Sequence, residues 1–425
     1  FVQIKPEVLR ALGHIIDALL DNVAEGTEYF WLDLYKDQWG TEPPILSNQA
    51  YIRDFIDDIV IIDPFALASK PSEIPIAGTS VVGNPGAASA LASVYSPVVD
   101  APILSFPGHS AGAFVNDFAF AALKADGSVV TWGYGPAGGN SSAVSSQLSG
   151  DIDVVQVYSN SSAFAALRAD GSVITWGNAD TGGNSSSVAA ALNGAVDVSQ
   201  VYSTTSAFAA LRADGSVVTW GNPGTGGERG PVADQLNGAN DVIKIYSTMS
   251  SFAALRSDGS VVTWGYDQFG GDSSAVAAQL SGAIDVVDIA TTGSAFAAIR
   301  KDGSVVTWGN ELDGGNSSAV ANALNGAIDV SSIHATTSAF AALRTDGSVV
   351  TWGDVNNGGE SSAVAAGING TQDASAIASS NSAFAALRTD GSVVTWGNKA
   401  TGGDSGSVAN QLDGAIAVTK IFANN

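Results

Sequence analysis

The hydrophobic pattern of the chain changes character near residue 75. From Pro6 to Ala24 apolar side chains recur three or four residues apart, at Val8, Leu12, Ile15, Ile16, Leu19 and Val23. That is the spacing of one face of an amphipathic α-helix. Pro6 suits its first turn and Gly26 its end. Glu28 to Tyr35 predicts a second helix, followed by a turn at Thr41-Glu42-Pro43-Pro44. Asn48 to about Ile61 predicts a third, with Tyr51, Ile52, Phe55, Ile56 and Ile59 on one side and Pro64 as its stop. Beyond residue 118 the pattern belongs to short strands. Ala119-Phe120-Ala121-Ala122-Leu123 is a compact apolar run, Asp126-Gly127 a tight-turn signal, and Ser128-Val129-Val130-Thr131-Trp132-Gly133 a β-branched return. Together they predict a hairpin.

The same phrase returns six more times at an unchanged interval of 44 residues, with Asp-Gly at Asp126, Asp170, Asp214, Asp258, Asp302, Asp346 and Asp390. After each hairpin comes a Gly-Gly turn, as at Gly138-Gly139. In most units a polar cap follows, as at Asn140-Ser141-Ser142. The cap predicts one short helix whose Val144 and Leu148 face inward. Each unit closes on a third strand such as Asp153 to Tyr158. Units of this size cannot bury both faces of their strands alone and must pack on their neighbours.

The pattern thus predicts a mainly β protein: a seven-bladed β-propeller over 119–425, preceded by a small α-helical segment over 1–75. A Gly-, Pro- and Ala-rich transition spans 76–118. There, Ser80-Val81-Val82-Gly83-Asn84-Pro85-Gly86 is either a decayed eighth unit or a coincidence of common turn residues. The last unit stops just after its third strand, and hairpin 119–133 lacks a regular one before it. The expected solution is a clasp in which strand 417–422 completes the first blade and closes the ring.

The phrase Asp-Gly-Ser-Val-Val-Thr-Trp-Gly with its following Gly-Gly turn resembles the repeat of the RCC1-like (regulator of chromosome condensation) propellers. The 44-residue, three-stranded unit is similar to the shorter bacterial type seen in β-lactamase inhibitor protein II. The resemblance covers roughly residues 100–425. It implies the architecture and little about function, because the family holds an exchange factor, ubiquitin-ligase modules and an enzyme inhibitor. This chain has Ala-Phe, as at Ala163-Phe164, where the family commonly has His-Thr or His-Ser. It shows no counterpart of the exchange factor's working loop, so exchange activity is not carried over.

Composition narrows the chemistry. The 425 residues include 49 Gly and no Cys, and carry a formal charge of −24. Such an acidic balance disfavours nucleic acid and anionic membrane surfaces. Disulfides, thiolate metal sites and thiol nucleophiles are excluded. No apolar run approaches the roughly 20 residues of a transmembrane helix. His14, His109 and His334 stand in unrelated contexts, and neither a metal-ligand spacing, a Gly-x-Ser-x-Gly elbow nor a phosphate loop is visible. No catalytic residue, metal or cofactor is expected.

The repeated Asp are what hairpin turns prefer. Lys124, Arg168, Arg212, Arg256, Arg300, Arg344 and Arg388, each two residues earlier, are placed to reach them. The repeated Trp fit between blades, although one indole per blade also permits sugar stacking. Divergence concentrates in one equivalent loop per unit, at 134–137, 178–181, 266–269, 310–313, 354–357 and 398–401, while the strands hardly change. The expected function is therefore a non-catalytic scaffold that presents these loops to protein partners, with the N-terminal helices docking it into a larger assembly at a cell surface or outside the cell. The alternatives are a carbohydrate-binding propeller and an enzyme-inhibitor propeller. Candidate contact residues are Trp31, Trp39, Tyr134, Tyr266, Phe269 and Leu312.

Overall fold

The computed structural model describes residues 114–423. The helices predicted within 1–75, with Trp31 and Trp39, and nearly all of the 76–118 transition lie outside the described residues. What is described is mainly β and follows the 44-residue period. Seven antiparallel sheets succeed one another as the blades of a β-propeller, one of two strands and six of three.

The first blade pairs β1 (Ala119–Leu123) with β2 (Val129–Gly133). The second shows the full plan: β3 (Val154–Ser159), β4 (Ala163–Arg168) and β5 (Val173–Gly177), in that order across the sheet. The third strand of each repeat thus belongs to the blade of the next. A bulge recurs beside its start, where Val154 pairs with Arg168 but Gln156 with Leu167. This inserts one unpaired residue and bends the strand.

The Asp-Gly turn is looser than a two-residue hairpin. The N–H of Gly127 donates to the Lys124 carbonyl and the N–H of Lys124 to the Ser128 carbonyl. Gly127 alone takes a positive φ, of 70°. Asp contributes its side chain instead: Asp126 Oδ1 accepts from both the N–H and the hydroxyl of Ser128, at 3.1 and 2.6 Å. Each base reaches its own turn carboxylate as expected, from 3.1 Å in Lys124–Asp126 to 3.9 Å in Arg256–Asp258. The predicted short helix is a 3-10 helix, Ser142–Leu148 in the first unit, and its Leu148 is buried.

Blades join through one contact set. In β4 and β5 the cross-strand neighbours Phe164 and Trp176 stack with ring centroids 5.2 Å apart. The Phe ring lies against Gly138 of the preceding unit, and the Trp176 indole N–H donates to the Gly138 carbonyl at 3.0 Å. A side chain on Gly138 would meet Phe164 Cδ2 at 2.5 Å, so glycine is required for the close approach. All six such indole bonds measure 3.0–3.1 Å. A second tie is a series of backbone hydrogen bonds in steps of 44 residues, from the N–H of Asp117 to the Ser161 carbonyl and onward through Thr205, Met249, Gly293 and Thr337 to Asn381.

The expected clasp has no counterpart among the described residues. Among the described residues β1 pairs only with β2, and residues 417–423 carry no regular strand. Every junction is set locally by the Phe, Trp and Gly that meet there. Whether seven such steps return the last unit to the first depends on small rotations that no residue pattern records.

Candidate interaction surface

The variable loops sit directly on these junctions. Each is one tight turn that ends in a left-handed glycine, as in Gly135–Ala137 before Gly138 at φ 102° and Asp267–Phe269 before Gly270 at φ 93°. In every unit but the last, that glycine is the one pressed by the next blade's Phe ring. A hydroxyl holds the loop from the other side: Thr248 Oγ1 donates to the Phe269 carbonyl and Thr292 Oγ1 to the Asp313 carbonyl, both at 3.0 Å. Sequence variation is therefore carried on a fixed base.

The residue opening the loop takes one of two forms. Asn178, Asn222, Asn310, Asp354 and Asn398 turn their side chains inward to accept the N–H two residues on, at 2.8–3.0 Å. Such capping satisfies the loop's own backbone. Tyr134 and Tyr266 make no cap bond. Their rings instead face solvent, Tyr134 being 61% exposed. Tyr266 packs edge-on against Phe269 at 5.4 Å, and Tyr134 against Phe118 at 6.3 Å. Leu312 is 78% exposed.

Of the sequence-derived candidates, Tyr266 and Phe269 share one loop and Leu312 lies in the loop of the next unit. Tyr134 belongs to the first unit and is not brought together with them. Loops 266–269 and 310–313 border a common cleft of about 440 Å³, lined by Asp267, Asp272, Arg300, Trp308 and Glu311 among others. The cleft is predominantly acidic. Its Asp272 carboxyl lies below the usual range, chiefly because it accepts the Ser274 N–H at 2.8 Å. Arg300 is already engaged by Ser304 at 2.8 Å and Asp302 at 3.6 Å. Val355, 63% exposed in the following unit's loop, extends the apolar positions and is absent from the sequence-based set. Its signal was position alone, since it stands one residue after a capping Asp.

Elsewhere the titratable groups are structural. His334 is half-buried, partial desolvation lowers its pKa, and its ring contacts the Ser332 hydroxyl at 3.1 Å. At the equivalent position burial pushes Tyr202 up to about 12. Among the described residues no group of three His, Cys, Asp or Glu is disposed to hold a metal ion, and no helix is long and apolar enough to cross a membrane. Six of the seven repeat indoles are buried between blades; Trp132, in the first, is 51% exposed.

A scan against protein-family models finds no match, and no curated protein matches. Similar solved structures include the ectodomain of the receptor kinase CR4 of Physcomitrella patens, at 16% identity and a TM-score of 0.36, with 68% of this chain and 74% of that chain covered. The CRINKLY WD40 ectodomain of the Arabidopsis thaliana receptor kinase ACR4 follows at 17% identity and a TM-score of 0.35, over 68% of this chain and 97% of that one. Prp20p of Saccharomyces cerevisiae, described with its binding to Gsp1p and histones, is 17% identical with a TM-score of 0.37, over 68% and 82%. The fold assignment above stands on the strand pairing of this chain itself.

Proposed function

We propose that this protein is a non-catalytic interaction scaffold whose variable loops contact protein partners, centred on Tyr266, Phe269 and Leu312 around the acidic cleft. One observation carries the reading: the loop base is locked by the Gly–Phe–Trp junction while its tip exchanges an inward cap for an outward ring. A rigid apolar ring at low entropic cost, with carboxylates beside it, suits a protein surface that offers an apolar contact and basic side chains. Trp31 and Trp39 belong to the same proposal as contacts of the N-terminal segment, which would dock the scaffold into a larger assembly at a cell surface or outside the cell. The indoles that suggested sugar stacking are mostly engaged between blades, so no observation favours the carbohydrate reading.

The test places a photo-crosslinking amino acid at position 266, or at the hairpin-turn position 257 as control, in the full chain within its native extract. A discrete adduct from 266, lost when Leu312→Ser is added and absent from 257, is the expected result. Equal labelling from both positions overturns the loop assignment.

A further inference from the structure

At the two ends of the described chain both halves of the blade junction are present and unmatched. In the first blade Phe120 and Trp132 stack at 5.3 Å and 17° between planes, the arrangement of the six internal pairs, yet they are 63% and 51% exposed. In the last unit Gly402 holds φ 109° like its counterparts. Among the described residues no atom lies within 4 Å of the place where a Cβ would sit there, whereas at Gly226 the Phe252 ring fills that place at 2.6 Å. The N–H of Val418 donates to the Gly391 carbonyl at 2.8 Å, as Val154 does to Gly127 at 2.9 Å. The terminal segment therefore sets out on the course of a third strand and, among the described residues, meets no hairpin.

We propose that these ends join between copies of the chain, head to tail: the Phe120–Trp132 face of one copy seats on Gly402 of another. The occupant is specified by the junction itself, which the chain builds six times with one chemistry. Among the described residues the remaining Phe–Trp pairs are buried, so Phe120 and Trp132 are the pair left to fill the Gly402 socket. The second copy's hairpin also supplies the missing partner of residues 418–423. Transposing the pairing of β3 with β4 by the repeat sets Val418 opposite Lys124, Lys420 opposite Leu123 and Ile421 opposite Ala122, with Thr419 in the bulge. Main-chain hydrogen bonds then extend the blade that has two strands among the described residues, and the exposed side chains of Ile416 and Phe422 belong to the segment that the new contact engages. Because knob and socket occupy different parts of the surface, the contact is heterologous and can repeat from copy to copy. The formal charge of −24 opposes association, so added salt strengthens it. The proposal is independent of what the variable loops bind.

The experiment is sedimentation velocity on the full chain over a wide concentration range at low and high salt. Species larger than the monomer are expected to grow with concentration and with salt. Phe120→Glu removes the knob at an exposed site. Gly402→Ala blocks the socket, with open space for its Cβ in the single chain. Each variant alone is expected to be monomeric, while their mixture yields one-to-one dimers and nothing larger, since each retains the half that the other has lost. A wild-type chain that is monomeric throughout, with Trp132 as shielded from a quencher as the other indoles, overturns the proposal in favour of closure within one chain. Oligomers indifferent to both substitutions, or a mixture that remains monomeric, overturn it as well.

Discussion

Asp126 shows how much of this protein is decided within a few residues. Its carboxyl is held at about 2, first by the Ser128 hydroxyl, then by the Ser128 N–H and by Lys124. The equivalent Asp214, Asp302 and Asp390 are lowered by the same serine hydroxyl first. In Asp170, Asp258 and Asp346 partial burial opposes ionisation, but the serine bonds outweigh it. A carboxylate with a depressed folded pKa contributes stability above its unfolded value near 4, and that contribution is lost as pH falls through the folded value. Denaturation midpoints are therefore expected to drop between pH 4 and about 2, the lower limit being that of Asp126. A direct check is carboxyl NMR on Ser128→Ala, in which the Asp126 pKa rises toward the ordinary range. A pKa that does not move would place the cause elsewhere.

At the scale of the element, one sequence position has two environments. Phe252 is fully buried on Gly226, whereas Phe120, at the same place in the repeat, is 63% exposed. Phe252→Ala is expected to cost about 3–5 kcal/mol, the usual loss for a buried ring. Phe120→Ala should stay within about 0.5 kcal/mol in the dilute chain, as surface changes do. Urea titration of both variants checks the contrast, and equal losses would mean that Phe120 is covered in solution. The hairpins, the Arg–Asp pairing and the buried indoles were legible in the sequence because each rests on contacts within one repeat or with the next. What the sequence withheld follows from the same point. Nothing in Ala119 to Trp132 marks it as the first copy among the described residues, and nothing in Val418 to Phe422 shows whether a hairpin waits within reach. The loops divide in the same way: their divergence was visible, but not that Asn at the first position folds inward while Tyr faces out, which depends on the cap bond to the N–H two residues on.

For the described chain as a whole, a row of nearest-neighbour junctions makes stability position-dependent, since an internal blade is held from both sides and a terminal one from one side only. Burial follows that expectation. Ala207–Leu211 and Ser251–Leu255 are buried throughout, whereas β1 is buried only at Ala119 and Val393–Gly397 only at Trp396. The inner strands grade likewise, with Tyr202 and Tyr246 buried but Tyr158 only partly so. Amide exchange measured on the dilute chain should be slowest across 207–211 and 252–255 and fastest across 119–123 and 393–397. Uniform protection of all seven blades would instead require the two ends to be joined already. Repeating the measurement at high concentration separates the causes: protection gained at both 119–123 and 418–423, with the central blades unchanged, is the signature of ends meeting between copies, because only those segments acquire a neighbour they lacked.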